Sequence, residues 1–137
     1  MATRCSFLLL DEPTNGLDIL AKDEFKRLIA LYMSEDHTVL ISTHQGHEIE
    51  RILDHLLVLD SGGLVLNASL IEIAEKLCFE SGNSYVDAEE ILFSSEALEG
   101  VTILRPRGEG DPETGIDLEF LFRAIVQNPV GIRKVMQ

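Results

Sequence analysis

Hydrophobic and polar positions switch between two periods along this chain, and the switches mark out its elements. Ser6 to Leu10 is a short unbroken apolar run, which suits a strand buried on both faces, as in a parallel sheet. Pro13 and Gly16 end it. From Leu17 to about Tyr32 the apolar residues Leu17, Leu20, Ala21, Phe25, Leu28, Ile29 and Tyr32 fall three and four apart, the stripe of an amphipathic helix. His37 to Ser42 predicts a second strand, His47 to Leu53 a short helix, and His55 to Leu59 a third strand. Asp60 to Gly63 reads as a turn into the strand Leu64 to Asn67, so these two strands form a hairpin. Ser69 and Glu72 have the spacing of a capping box, in which hydroxyl and carboxylate each satisfy an amide at the start of a helix running to about Cys78.

Past Phe79 the pattern weakens. Asp87 to Leu98 reads as mainly helical and Val101 to Leu104 as a strand. Asp117 to Val126 reads as a helix, capped by Asp117 and stopped by Asn128 and Pro129. The glycines and prolines of Arg105 to Gly115 make that segment the one place where disorder is expected. Strand, helix, strand, helix, then hairpin and helix is the order of an α/β fold. No internal repeat is present.

Charge and cysteine content narrow the function classes. A formal net charge of -13 repels nucleic acid and anionic lipid, so no nucleic acid partner is expected. The chain of 137 residues suits one core. Its two cysteines, Cys5 and Cys78, and the lack of a charged-then-apolar leader or an apolar run of roughly 18 residues point to a reducing, cytoplasmic setting.

The chemistry concentrates where the first strand ends. Asp11 and Glu12 stand at its carboxyl end, the edge where open α/β sheets bind ligands. One acid there can hold Mg²⁺ while its neighbour orients a water for attack on a phosphate. Successive residues leaving a strand point apart, so the two carboxylates can address different atoms of one ligand. A solvated acidic turn is the competing reading of the bare Asp-Glu pair. His44, ending the second strand, would on its own fit a satisfied turn histidine. His44 and His47 could share a helical face as metal ligands, but a third ligand and nearby cysteines are lacking.

The stretch FLLLDEPTNGLD, followed by TVLIST and His44, resembles the ATP-binding cassette (ABC) ATPases. In that family LLLDEPT is the Walker B strand with its catalytic glutamate, NGLD is the D-loop, and a histidine ending the next strand is the switch histidine. The resemblance continues through HEIERILDHLLVLDSGGLVLNASL and covers about Ser6 to Leu77. It implies a partial P-loop NTPase fold, mainly parallel sheet with flanking helices and a C-terminal hairpin plus helices. It also implies that Asp11 supports Mg²⁺ and that Glu12 is the general base or water-orienting residue. His44 would contact the γ-phosphate of ATP and the attacking water. Asn15, Gly16, Leu17 and Asp18 would form the D-loop, which crosses to a second cassette subunit in a head-to-tail dimer. The implied partners are that second subunit, as a homo-oligomer, and membrane-spanning transporter subunits, which would place the protein at the inner face of the cell membrane.

One part of the family pattern is missing from these 137 residues. No GxxxxGK[ST] phosphate loop occurs, and neither the Q-loop glutamine nor an LSGGQ signature precedes the Walker B strand. RGEGDPETG lacks the lysine and follows His44, and Ser61-Gly62-Gly63 sits between two strands as a hairpin turn. The expectation is therefore the C-terminal portion of a cassette: residues 1–78 from Walker B to the helix after the hairpin, and residues 79–137 as an extension. Three functions fit it: the ATP-hydrolysing subunit of an ABC transporter of exporter or multidrug type, a catalytically inactive module that pairs with an intact cassette, or a nontransport ATPase. The first implies ATP and Mg²⁺ as cofactors in the intact cassette, with little or no binding by this chain alone.

Overall fold

The computed structural model describes residues 6–33, 36–82, 90–97 and 100–137. They fall into two compact units, divided along the chain between Ile52 and Leu53.

In the first unit, strand β1 (Phe7–Asp11) leads through a turn to helix α1 (Ile19–Tyr32), which returns the chain to strand β2 (Thr38–Ser42). The two strands pair in parallel, Phe7 with Thr38 through Asp11 with Ser42. A parallel pair needs a crossover, and α1 supplies it. Asp18 caps that helix, its Oδ1 accepting from the Ala21 N–H at 2.8 Å. Two 3-10 turns, Gly46–Glu48 and Glu50–Ile52, follow β2 in place of the single helix expected over His47 to Leu53. Only six residues of helical backbone are formed there, too few to sustain an α-helical ladder. Burial on both faces of β1 is not found. Phe7 and Leu9 are 51 % and 62 % exposed, because among the described residues β1 has a single neighbouring strand.

The second unit opens with the hairpin of β3 (His55–Asp60) and β4 (Gly63–Ser69). Its turn needs left-handed backbone at both central residues, Ser61 (φ 49°) and Gly62 (φ 79°), and Gly62 meets that without strain. Ser69 then caps α2 (Leu70–Lys76) with the reciprocal Ser69 and Glu72 bonds of a capping box. The helix stops at Lys76, short of Cys78, because the chain turns extended at Leu77 and enters β5 (Leu77–Ser81). Strands β6 (Phe93–Ala97) and β7 (Gly100–Pro106) complete an antiparallel sheet in the order β5-β7-β6. The helix expected over Asp87 to Leu98 is thus a strand over Phe93–Ala97, while 83–89, 98 and 99 lie outside the described residues. Ladder bonds to β7 outweigh the local helical spacing.

Helices α3 (Leu118–Gln127) and α4 (Pro129–Met136) close this unit. Asp117 caps α3, and Pro129, expected as a stop, is also the first residue of α4, where its missing N–H costs nothing. The core joins Val58, Leu66, Ile73 and Leu77 to Leu104, Leu121, Ile125 and Ile132, with Phe93 and Phe120 packed at 4.8 Å between ring centroids. Arg105 to Gly115 is ordered by charge. Arg105 pairs with Glu80 on β5 and donates from Nη1 to Asp111 Oδ2 at 2.6 Å, while Arg107 donates to the Ala74 and Asp111 carbonyls. These bonds supply what its composition withholds.

The fold is mixed α/β, but a mainly parallel sheet is not what forms. Among the described residues only β1 and β2 run parallel, and the other two sheets are antiparallel. The reason is connectivity, since only β1 is followed by a helical crossover to its own partner strand.

Candidate functional site

The carboxyl ends of β1 and β2 bring the acids and the histidine together. Because the strands are parallel and in register, Asp11 lies opposite Ser42, and the residues just beyond them, Glu12 and Thr43-His44, leave from one edge. The Glu12 N–H donates to the Ser42 carbonyl at 2.9 Å, and its own carbonyl accepts from Asn15 at 3.1 Å. Between those bonds Glu12 has left-handed backbone, φ 44°. A non-glycine residue there carries strain of order 1–3 kcal/mol, and such strain is typical of residues aimed for function.

The two acids diverge as expected of successive residues. Asp11 Oδ1 accepts from the Ser42 hydroxyl. Glu12 turns to the other loop: Oε1 accepts from the His44 N–H at 3.1 Å and lies 2.7 Å from His44 Nδ1, and Oε2 accepts from the Thr43 hydroxyl at 3.2 Å. The Gln45 amide nitrogen, 3.2 Å from His44 Nε2, can only donate. Nε2 is therefore the acceptor, and Nδ1 carries the proton that goes to Glu12. The His44 ring holds the Glu12 carboxyl below its ordinary range, and the Thr43 hydroxyl adds to the effect against a desolvation cost. His44 keeps two thirds of its side chain exposed, so this pair stands at an open edge.

Asn15, Gly16, Leu17 and Asp18 form an exposed turn between β1 and α1. Gly16 sits at φ 77°, where any side chain would be strained, and the Leu17 N–H closes the turn on the Thr14 carbonyl at 3.2 Å. The Asp18 carboxylate is used as the helix cap. These four residues make no hydrogen bond to the Glu12 carboxylate or the His44 ring among the bonds formed by the described residues. Sequence reasoning did not single out Ser42, Thr43, Gln45, Lys22 or Glu48. The signal for the first three was their adjacency to His44 on the exit of β2.

Among the described residues no three His, Cys, Asp or Glu side chains cluster as a metal site. Asp11 and the Ser42 hydroxyl are hard oxygen donors, and two such donors fit a Mg²⁺ that takes its other ligands from water and phosphate.

The chain is 31 % identical over 118 residues to an uncharacterised ABC transporter ATP-binding protein of Methanocaldococcus jannaschii, covering 84 % of this chain and 44 % of that protein. The chain belongs to the ATP-binding cassette family. Relatives named for transport match too. The bacitracin transport ATP-binding protein BcrA of Bacillus licheniformis is 44 % identical over 59 residues, 42 % of this chain and 19 % of BcrA. The ABC transporter ATP-binding protein NatA of Bacillus subtilis is 28 % identical over 95 residues, 69 % of this chain and 36 % of NatA. The chain thus spans less than half the length of each of these cassette proteins. No family model matches it. Among the described residues no helix is long and apolar enough to cross a membrane.

Proposed function

We propose that this chain is the hydrolytic-edge portion of an ATP-hydrolysing ABC transporter subunit, with Glu12 as the residue that orients or deprotonates the attacking water. The observation that carries the reading is the Glu12–His44 contact, made at the strand ends and aided by a left-handed Glu12 backbone. A carboxylate already engaged with an Nδ1–H proton donor can exchange that partner for a water placed between it and a phosphate. Asp11, with Ser42 beside it, would hold Mg²⁺, which when bound neutralises charge on the phosphates. Asn15 to Asp18, exposed and free of the Glu12 carboxylate, are available to face a second subunit.

An exporter-type assignment draws support from BcrA, whose name ties it to bacitracin transport. Membrane-spanning subunits are then the further partners, and ATP is the nucleotide. The 137-residue chain by itself is silent: it has no phosphate loop to hold the nucleotide against Glu12. The test is His44→Ala in an intact cassette carrying residues 6–77 of this chain. MgATP binding is retained and phosphate release is lost. Unchanged turnover would remove His44 from the site.

A further inference from the structure

Behind the Glu12–His44 contact lies a second bond between the same two loops. Lys22, on the first turn-and-a-half of α1, reaches the carboxylate of Glu48, which ends the 3-10 turn directly after His44. Glu48 is nine-tenths buried at its side chain, and Lys22 is three-quarters buried. Lys22, then the Thr14 hydroxyl, hold the Glu48 carboxyl below its ordinary range. Thr14 is itself 2 % exposed. Oε2 of Glu48 is buried with no well-formed hydrogen bond among the described residues. Burying a carboxylate costs desolvation, and Lys22 and the Thr14 hydroxyl offset that cost; the question is what is gained by placing it there.

What is gained is a closed ring. From Glu12 the connection runs through Thr43, whose hydroxyl donates to Glu12 and accepts from the Gln45 N–H at 3.0 Å. The Gln45 carbonyl accepts from the Glu48 N–H at 3.1 Å. Glu48 reaches Lys22, and the Lys22 N–H donates to the Asp18 carbonyl at 2.9 Å, at the end of the exposed 15–18 turn. The turn returns to Glu12 through the Asn15 N–H. Of these links only Lys22 to Glu48 joins two long side chains, and it is the one that runs from α1 to the turn behind His44.

We infer that Lys22 and Glu48 are positioning residues, a clamp that fixes the His44 loop against Glu12 and couples it to the position of residues 15–18. The inference rests on the reading of Glu12 and His44 as the site. A shift of the 15–18 turn, such as a second subunit would impose, moves the amino end of α1. Lys22 moves with it and draws Glu48, Gln45 and His44.

The clamp is tested on the 137-residue chain by amide hydrogen exchange, resolved by residue, for wild type, Lys22→Met, Glu48→Gln and Lys22→Arg. The His44 N–H, which donates to Glu12 in the clamped state, is the reporter. Lys22→Met and Glu48→Gln speed its exchange about tenfold, as local opening of a loop does, and leave Ile29, Leu40 and the second unit unchanged. Lys22→Arg, which keeps charge and reach, restores wild-type protection. Unchanged His44 exchange in both Lys22→Met and Glu48→Gln overturns the clamp, as does an equal acceleration at Ile29 and Leu40, which marks general loosening. Glu48→Gln is isosteric and keeps the test open should Lys22→Met misfold. Failure of the reading itself is a separate result, normal phosphate release by an intact cassette bearing Glu12→Gln, and it leaves the exchange data standing.

Discussion

Glu12 Oε1 meets His44 twice, at the backbone N–H (3.1 Å) and at the ring Nδ1 (2.7 Å). One oxygen therefore fixes both the loop and the ring. A carboxylate so placed is oriented by the strand it leaves on one side and by the loop it bonds on the other. That geometry, rather than the Asp-Glu pair alone, is what favours the proposed site over a solvated acidic turn.

The purified chain binds MgATP only weakly. Glu12 and His44 act on the terminal phosphate and water, whereas affinity in a cassette comes from loop amides and a lysine that these 137 residues lack. Three charge-assisted bonds at about 1.5–3 kcal/mol each amount to a loss of roughly a thousandfold or more. Calorimetric titration with MgATP checks it. Micromolar affinity at one site per chain would reveal a nucleotide site elsewhere.

Acid weakens the second unit through Asp111. Arg105 beside it, with the Gly108 N–H, draws its carboxyl from the ordinary 3.8 down to about 2. The folded value is the lower one, so the stabilisation is fully present above pH 3.8 and drains away as pH falls toward about 2. Scanning calorimetry over that window shows a shallower fall of Tm for Asp111→Asn than for wild type. Parallel curves would mean that the Arg105 bonds contribute nothing on folding.

Leu121 and Phe122 are neighbours with opposite fates. Leu121 is fully buried in the core, and Phe122 is 51 % exposed. Leu121→Ala costs about 2–5 kcal/mol through lost burial and an unfilled cavity, and Phe122→Ala about 1 kcal/mol or less. Urea denaturation of the two variants measures the difference. Equal costs would place α3 in a different register on the sheet.

Much of this was legible in the residues. The β1–α1–β2 unit could be read because Pro13 and Gly16 punctuate it and the apolar residues from Leu17 to Tyr32 fall at helical spacing. The hairpin could be read from Ser61-Gly62, and α2 from Ser69 and Glu72, since capping and turn chemistry are local. What escaped was set by partners distant in sequence. Phe93–Ala97 has helical spacing but is claimed by β7, and Cys78 belongs to β5 because Leu77 pairs with Pro106. Arg105 to Gly115 looks loose until Glu80, twenty-five residues earlier than Arg105, supplies its counter-charge. At the site, Asp11, Glu12 and His44 were evident, whereas Lys22 and Glu48 look like any surface charges until the fold brings them together.

If Glu12 serves the hydrolytic step, phosphate release by an intact cassette carrying residues 6–77 of this chain, with and without Glu12→Gln, shows it most directly. The substitution keeps size and removes the base. Turnover falls by about 10²- to 10⁴-fold, while MgATP affinity, measured on the same protein, stays within about threefold of wild type. Turnover at the wild-type rate in the Glu12→Gln cassette would contradict the assignment.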